Sequence, residues 1–119
     1  EERAARIMSS AFAAVNYLHT KGIVHRDIKE ENFLFSDRTT DAEIKLIDFG
    51  LSQIMAPNER LSVKAGTPLY MAPEVFEKNY DHRCDYWSLG VMMYIFLVGT
   101  PPIDGNNTAA LAKAVLEEE

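Results

Sequence analysis

Hydrophobic residues recur at helical spacing near the start of the chain. Between residues 4 and 19 they lie three or four positions apart, on one face of a helix, at Ile7, Met8, Ala11, Phe12, Val15 and Leu18. Lys21 and Gly22 follow, a basic residue and a glycine of the kind that often ends helices. The pattern predicts a first helix over residues 4–19.

Two short apolar runs come next. Residues 32–35 and 43–47 are rich in Phe, Leu and Ile, and the polar stretch 36–41 separates them. Runs of this length on either side of a polar link predict a β-hairpin. We expect this hairpin to be the only sheet of the protein and to place Asn32 near Asp48.

The second half of the chain predicts an irregular segment and then helices. Residues 51–70 show no sustained period and contain Gly66 and Pro68. Residues 86–98 are almost entirely apolar, too few to span a bilayer but suited to a helix that is buried on all sides. Asn107 or Thr108 is expected to cap a last helix. These elements predict a mainly α unit with a short β-hairpin.

Composition narrows the class of protein. The 119 residues allow one small domain. The net charge is −6, and apart from the glutamates at residues 117–119 the sequence has no long run of residues with the same charge. This argues against binding of nucleic acid or of an anionic membrane by bulk electrostatics, and no segment is long enough to span a membrane. Cys84, the single cysteine, cannot form a disulfide within the chain. We therefore expect an intracellular, cytoplasmic protein.

One stretch carries most of the candidate chemistry. Residues 25–32 read HRDIKEEN, and DFG follows at residues 48–50. Asp27 can accept a proton from a hydroxyl, and Lys29 can hold a phosphate. Asn32 and Asp48 offer the oxygen ligands that Mg²⁺ prefers. Each Asx residue would also suit an ordinary turn, but together these residues favour phosphoryl transfer.

Further motifs follow in the order typical of protein kinases, with APE at residues 72–74 and DYWSLG at residues 85–90. The set resembles the protein kinase family, serine/threonine type, over essentially all 119 residues. The Gly-rich loop and strand lysine that cover ATP in this family do not occur in them. The resemblance therefore implies that residues 1–119 are a partial kinase domain. They would form an incomplete version of the larger, C-terminal lobe of the fold.

The resemblance also implies roles for single residues. Asp27 would be the catalytic base, Lys29 would steady the γ-phosphate, and the Thr67 hydroxyl would bridge the two. Asn32 and Asp48 would be the Mg²⁺ ligands and, together with Lys29, would bind Mg-ATP.

Regulatory roles are implied in the same way. Arg26 resembles the arginine that receives a phosphate in the activation segment, and Ser62 is a candidate carrier of that phosphate. Pairing of Arg26 with a carboxylate remains an open alternative, with Glu59 in place of a phosphate. The remaining residues of this group are Phe49 and His25 as internal packing partners, Gly50 as a tight turn, and Glu74 as the partner of an arginine outside these residues. His19 and His82 are expected to be packing residues.

Substrate contacts form a third group. Glu31 resembles the acid that contacts a basic side chain of the peptide, although a solvated loop glutamate is the alternative. Gly66 and Thr67 would shape the peptide site. Asp85 resembles the aspartate that holds the backbone around Asp27, unless it is a simple N-cap. Glu30 stands where the family usually has proline, which frees the backbone there.

Residues 32–35, 48–52 and 80–91 resemble calcium/calmodulin-dependent and calcium-dependent protein kinases of plants and protozoa. No calcium-binding loop occurs in this sequence, so Ca²⁺ would act through a calcium-sensing domain or calmodulin outside the chain. The expected function is transfer of the ATP γ-phosphate to Ser or Thr of protein substrates, with the 119 residues alone inactive. The alternative is a pseudokinase or scaffolding module that acts by protein binding.

Overall fold

The structure, a computed structural model, describes residues 2–35, 44–103 and 107–117. The helices in these residues are α1 (Glu2–Thr20), α2 (Pro73–Phe76), α3 (Cys84–Val98) and α4 (Thr108–Glu117). The strands form two antiparallel pairs, β1 (Ile23–Val24) with β4 (Gln53–Ile54) and β2 (Phe33–Phe35) with β3 (Ile44–Leu46). Single 3₁₀ turns lie at Glu30–Asn32 and Pro68–Tyr70. The prediction of a helix-rich unit with little sheet is confirmed.

Helix α1 confirms the first predicted helix. Its apolar stripe is buried at Met8, Ala11 and Val15, and this face packs against α3. The helix ends before Gly22, whose N–H donates to the His19 carbonyl at 3.0 Å. Gly22 has φ of +74°, a conformation that glycine adopts without steric cost.

The predicted hairpin is also confirmed, as the pair β2–β3 with Phe33 opposite Leu46. Its link at residues 36–41 and Glu43 lie outside the described residues. The expectation that this hairpin is the only sheet is wrong, because β1 pairs with β4 and places Val24 opposite Gln53. Two-residue strands about thirty positions apart have no periodicity of their own, so the sequence pattern carried no signal for this tertiary pairing.

Helix α3 begins at Cys84 and ends at Val98. Leu89 and Met92 are buried, whereas Leu97 and Val98 are more than half exposed, at 58% and 56%. The expectation that this helix is buried on all sides is therefore wrong for the described structure. Its sequence is apolar on every face, so periodicity could not show which face lacks a packing partner.

The last helix is capped as one of the two alternatives predicted. The Asn107 side-chain oxygen accepts the backbone N–H of Ala110 at 2.9 Å, so Asn107 is the N-cap of α4. Leu111 and Val115 are the buried residues of the helix, which lies against α2 and the turn at Pro68–Tyr70.

Two buried clusters surround the candidate site. The first joins α1 to α3 and contains Met8, Ala11, Val15, Ile28, Tyr70, Leu89, Val91 and Met92. The second contains Val24, Leu61, Met71, Ala72, Val75, Tyr80 and Cys84. The loop at residues 25–32 runs between them, with Val24 in one cluster and Ile28 in the other. No helix in the described part of the chain is long and apolar enough to cross a membrane.

Candidate active site

A buried carboxylate of α3 fixes the backbone of the 25–32 loop. Asp85 accepts the backbone N–H groups of His25 and Arg26, each at 2.9 Å. Arg26 has φ of +72°, a conformation that costs a non-glycine residue free energy. Such a conformation persists only where the surrounding contacts offset that cost. Arg83, not Asp85, occupies the N-cap position of α3. The alternative of Asp85 as a simple N-cap is therefore wrong, and its hydrogen bonds support the role of holding the loop.

His19 supports the same carboxylate. Its Nε2 lies 2.9 Å from Asp85 Oδ2, and its ring packs edge-on against the rings of His82 and Tyr86. The expectation that His19 and His82 are packing residues accounts for the ring contacts but missed the hydrogen bond to Asp85. The two partners are 66 positions apart, so no local pattern could have indicated it.

The Thr67 hydroxyl connects the two residues that the sequence marks as catalytic. It donates to Asp27 Oδ1 at 2.8 Å and accepts from Lys29 Nζ at 2.9 Å. Lys29 Nζ lies 3.9 Å from the same Asp27 oxygen, so the three groups form a closed triangle. The side chains of Asp27 and Lys29 are 13% and 22% exposed, which leaves both accessible to a ligand.

His25 orients this part of the loop through both ring nitrogens. Its Nδ1 accepts the backbone N–H of Asp27 at 3.1 Å, and its Nε2 lies 3.0 Å from the carbonyl oxygen of Ile47. Only the tautomer with the proton on Nε2 satisfies both contacts. The His25 ring, fully buried, also packs edge-on against Phe49 with 5.2 Å between the ring centroids. Phe49 itself is 47% exposed, so the expected internal packing describes His25 and not Phe49.

Asn32 and Asp48 are the candidate metal ligands. The Asn32 amide donates to the Asp27 carbonyl at 2.7 Å and to Asp27 Oδ2 at 3.3 Å, which directs its nitrogen toward Asp27. The backbone N–H of Ile47 donates to the Asn32 carbonyl at 2.8 Å, so the β2–β3 pairing brings Asp48 alongside. Asp48 is exposed, and one of its oxygens accepts the N–H of Gly50 at 3.3 Å.

This donor set fits Mg²⁺. An amide oxygen and a carboxylate are hard ligands, and Mg²⁺ usually takes one or two such protein ligands together with water and phosphate oxygens. Within the described residues, no group of three His, Cys, Asp or Glu side chains offers a separate metal site.

The Arg26 side chain is held by uncharged partners. Its Nε donates to the Leu51 carbonyl at 2.6 Å and its Nη1 to the Tyr80 hydroxyl at 3.1 Å. Glu59 instead accepts the N–H of Ala56 at 3.0 Å and does not stand in for a phosphate at Arg26. Ser62 is exposed. Tyr80 is fully buried, and its hydroxyl donates to the Val63 carbonyl. The sequence analysis missed this role of Tyr80 as a partner of Arg26.

The 66–70 segment, which carries Gly66 and Thr67, packs closely on the 25–32 loop. A Cβ at Gly66 would lie 2.5 Å from the Arg26 carbonyl oxygen, and Gly66 has φ of +114°. Both features require glycine at this position. At the other end of the segment, Ser88 donates to the Tyr70 carbonyl at 2.7 Å, and the Tyr70 hydroxyl donates to Glu30.

The other predicted regulatory and substrate residues lie nearby. Glu31 is exposed in the 3₁₀ turn that follows Lys29, and Glu74 lies partly buried in the first turn of α2. The described structure brings Asp27, Lys29 and Thr67 into direct contact, whereas Glu31 and Glu74 stand apart from that triangle.

Comparison with known proteins gives the family. The protein kinase domain model matches residues 1–119. The chain is 45% identical over all 119 residues to calcium-dependent protein kinase 5 of Plasmodium falciparum, and covers 21% of that protein. It is 43% identical over 116 residues, 98% of the chain, to calcium-dependent protein kinase 21 of Oryza sativa subsp. japonica, and covers 20% of it. Calcium-dependent protein kinase 14 of Arabidopsis thaliana is 43% identical over 98% of the chain, which covers 22% of that protein. The chain thus spans about a fifth of the length of these relatives.

The resemblance drawn from the motifs is confirmed, and the chain belongs to the protein kinase domain family.

Proposed function

We propose that this chain is part of a serine/threonine protein kinase that transfers the γ-phosphate of ATP to hydroxyl groups of protein substrates. The observation that carries the proposal is the Thr67 hydroxyl, hydrogen-bonded at once to Asp27 and Lys29. This contact joins the 66–70 segment to the two residues that would act on the hydroxyl and on the phosphate. Residues 1–119 would form most of the larger, C-terminal lobe of the kinase domain.

Each residue of the site has a task that its chemistry supports. Asp27 accepts the proton that the substrate hydroxyl loses as its oxygen forms a bond to the γ-phosphorus, while the bond from that phosphorus to ADP breaks. Lys29 Nζ neutralises charge on the transferring group. Asn32 and Asp48 would hold Mg²⁺, which when bound neutralises charge on the ATP phosphates. Positioning of this kind supplies most of the catalysis in phosphoryl transfer.

The peptide would lie along the 66–70 segment, with Gly66 and Thr67 shaping its site. Glu31, exposed two residues after Lys29, would contact a basic side chain near the phosphoacceptor. The names of the relatives support calcium regulation, through a calcium-sensing domain or calmodulin outside these residues. We propose an intracellular, cytoplasmic location for the protein and little activity for the 119 residues by themselves.

Regulation within the chain centres on Arg26. Phosphorylation of Ser62 would offer Arg26 a charged partner in place of the uncharged ones that it has here. Phe49 and Gly50 would adjust the position of Asp48. Glu74, through an arginine outside these residues, would anchor the end of the activation segment, which corresponds to the irregular residues 51–70. A pseudokinase or scaffolding module that acts by protein binding is the second candidate, favoured by the exposed apolar side of α3, which offers a binding surface.

Transfer of phosphate from Mg-ATP to a serine peptide flanked by arginine separates the two candidates. The complete gene product should be active, and Asp27→Asn should lower kcat by about 10²–10⁴-fold, the usual contribution of general-base catalysis. Glu77→Gln, at an exposed glutamate after α2, is the matched control and should retain activity. Binding of Mg-ATP with no transfer, in calcium or without it, would establish the pseudokinase instead.

A further inference from the structure

Glu30 and Tyr70 form a second connection between the 25–32 loop and the 66–70 segment. The Tyr70 hydroxyl donates a hydrogen bond to Glu30 Oε2. Tyr70 is 8% exposed, and the other carboxylate oxygen of Glu30 is buried without a hydrogen-bond partner in the described part of the chain. Loss of the Tyr70 donor would leave this carboxylate poorly satisfied in a partly buried position.

Tyr70 is held on its backbone as well. Its N–H donates to the Thr67 carbonyl at 2.9 Å, and its carbonyl accepts the Ser88 hydroxyl at 2.7 Å. Burial and the neighbouring Glu30 carboxylate raise the pKa of Tyr70, so the phenol keeps its proton and remains a donor throughout the neutral range. The hydrogen bond to Glu30 in the 25–32 loop is thus made by Tyr70, one turn beyond Thr67.

We infer that Glu30 is a positioning residue that acts through Tyr70 to hold the 66–70 segment in place beside Lys29, an inference that rests on the proposed function. Glu30 leaves the backbone after Lys29 without the restriction that a proline ring would impose. Its side chain instead fixes this part of the loop through the contact with Tyr70. A peptide then meets a segment that is already ordered, and binding need not supply the free energy of ordering it.

Steady-state kinetics of the complete gene product test this role. Glu30→Ala and Tyr70→Phe should each raise the peptide KM by about 10–100-fold, the range expected for loss of one hydrogen bond to a charged group. The KM for Mg-ATP should stay unchanged. The double variant should be no worse than either single variant, because both remove the same bond. Glu30→Gln keeps an acceptor oxygen and should restore the wild-type peptide KM.

Controls separate positioning from general loss of structure. Tyr17→Phe and Glu77→Ala alter an exposed tyrosine and an exposed glutamate and should leave both KM values unchanged. Partial unfolding would lower kcat by reducing the amount of active enzyme and would leave the peptide KM unaltered. Unchanged peptide KM values in Glu30→Ala and Tyr70→Phe, or additive effects in the double variant, would overturn the inference.

Hydrogen exchange of the Tyr70 amide tests the connection without any need for activity. Glu30→Ala should speed this exchange by about tenfold, because the segment opens locally more often, while Glu77→Ala should not change it. Equal exchange in Glu30→Ala and wild type would overturn the inference even in an active enzyme. A wild-type protein that transfers no phosphate would instead overturn the proposed function, whatever the exchange rates.

Discussion

Asp85 accepts the backbone N–H of Arg26 at 2.9 Å, from a position 59 residues further along the chain. This bond and the one from the His25 N–H to the same carboxylate hold Arg26 at positive φ. The backbone at Arg26 in turn sets the direction in which the Asp27 side chain points. The carboxylate is 1% exposed, which makes it a structural element of the site rather than a surface charge.

Asp85→Asn should lower the free energy of unfolding by about 1–3 kcal/mol, the cost of leaving a buried donor unsatisfied. The amide has one acceptor oxygen, so its NH₂ group would face one of the two backbone N–H groups that the carboxylate now satisfies. Urea denaturation of the complete gene product measures the effect, with Glu77→Gln as control. An unfolding free energy within about 0.5 kcal/mol of wild type, the range of ordinary surface substitutions, would contradict this role.

Gly66→Ala and Gly90→Ala should have opposite effects on stability. A Cβ at Gly66 would overlap the Arg26 carbonyl oxygen at 2.5 Å and force a strained φ of +114°, with an expected loss of about 2 kcal/mol or more. Gly90 lies inside α3, and a Cβ there would meet nothing within 4 Å beyond its own helix backbone, so alanine should stabilise by about 0.5–1 kcal/mol. Thermal denaturation of the two variants side by side measures both effects. Equal shifts would show that the close approach at Gly66 is not real.

The Thr67 hydroxyl should matter for transfer more than the Thr67 methyl group. Thr67→Ala removes the link between Asp27 and Lys29 and should lower kcat/KM by about 10–100-fold, as expected for loss of a hydrogen bond to a charged group. Thr67→Ser keeps the hydroxyl and should remain within about threefold of wild type. Similar losses in both variants would mean that the hydroxyl contact does not contribute to the reaction.

The Cys84 thiol should make stability fall at high pH. Burial, and then the nearby Asp85 carboxylate, raise the pKa of Cys84 in the folded state. The contribution of the thiol to the free energy of unfolding is fully present below the thiol pKa of the unfolded chain, about 8.5. It is lost as the pH rises, because above that value only the unfolded state releases the proton. Urea denaturation between pH 7 and 10 should show this slope, by up to about 1.4 kcal/mol per pH unit.

Cys84→Ala is the control for this slope, since it removes the titrating group. The variant should be less dependent on pH above about 8.5 than wild type, whatever its absolute stability. The thiol should also resist alkylation until the protein unfolds, because only the thiolate is nucleophilic. Identical pH dependence of the two proteins would contradict the assignment.

Local sequence predicted those features that lie within a few residues of each other. Periodicity located α1, β2, β3 and most of α3, since each pattern reflects one face that is buried. The candidate site followed from motif order, because Asp27, Lys29 and Asn32 are neighbours and one hairpin brings Asp48 to them. The resemblance supplied Thr67, which no spacing rule would have placed on Asp27.

Long-range contacts were beyond such patterns. The hydrogen bonds between Arg26 and Tyr80, between His19 and Asp85 and between Tyr70 and Glu30 join residues 40 or more positions apart. The polar ends of buried aromatic residues find partners that depend on packing and not on local sequence. The exposed side of α3 was missed for a related reason, since an apolar residue does not show whether anything covers it.

The contacts that shape the 25–32 loop come from residues synthesised well after it. Thr67 is 40 positions beyond Asp27, and Asp85 is 60 beyond His25. At a ribosomal rate of about 5–20 residues per second, the loop emerges about 3–12 s before the carboxylate that fixes it. Until then the two backbone hydrogen bonds to Asp85 cannot form, so we expect docking of α3 and assembly of the site to be one folding event. A premature stop codon between residues 68 and 85 would yield a polypeptide that contains Asp27, Lys29 and Thr67 but lacks the Asp85 carboxylate that fixes the loop around them.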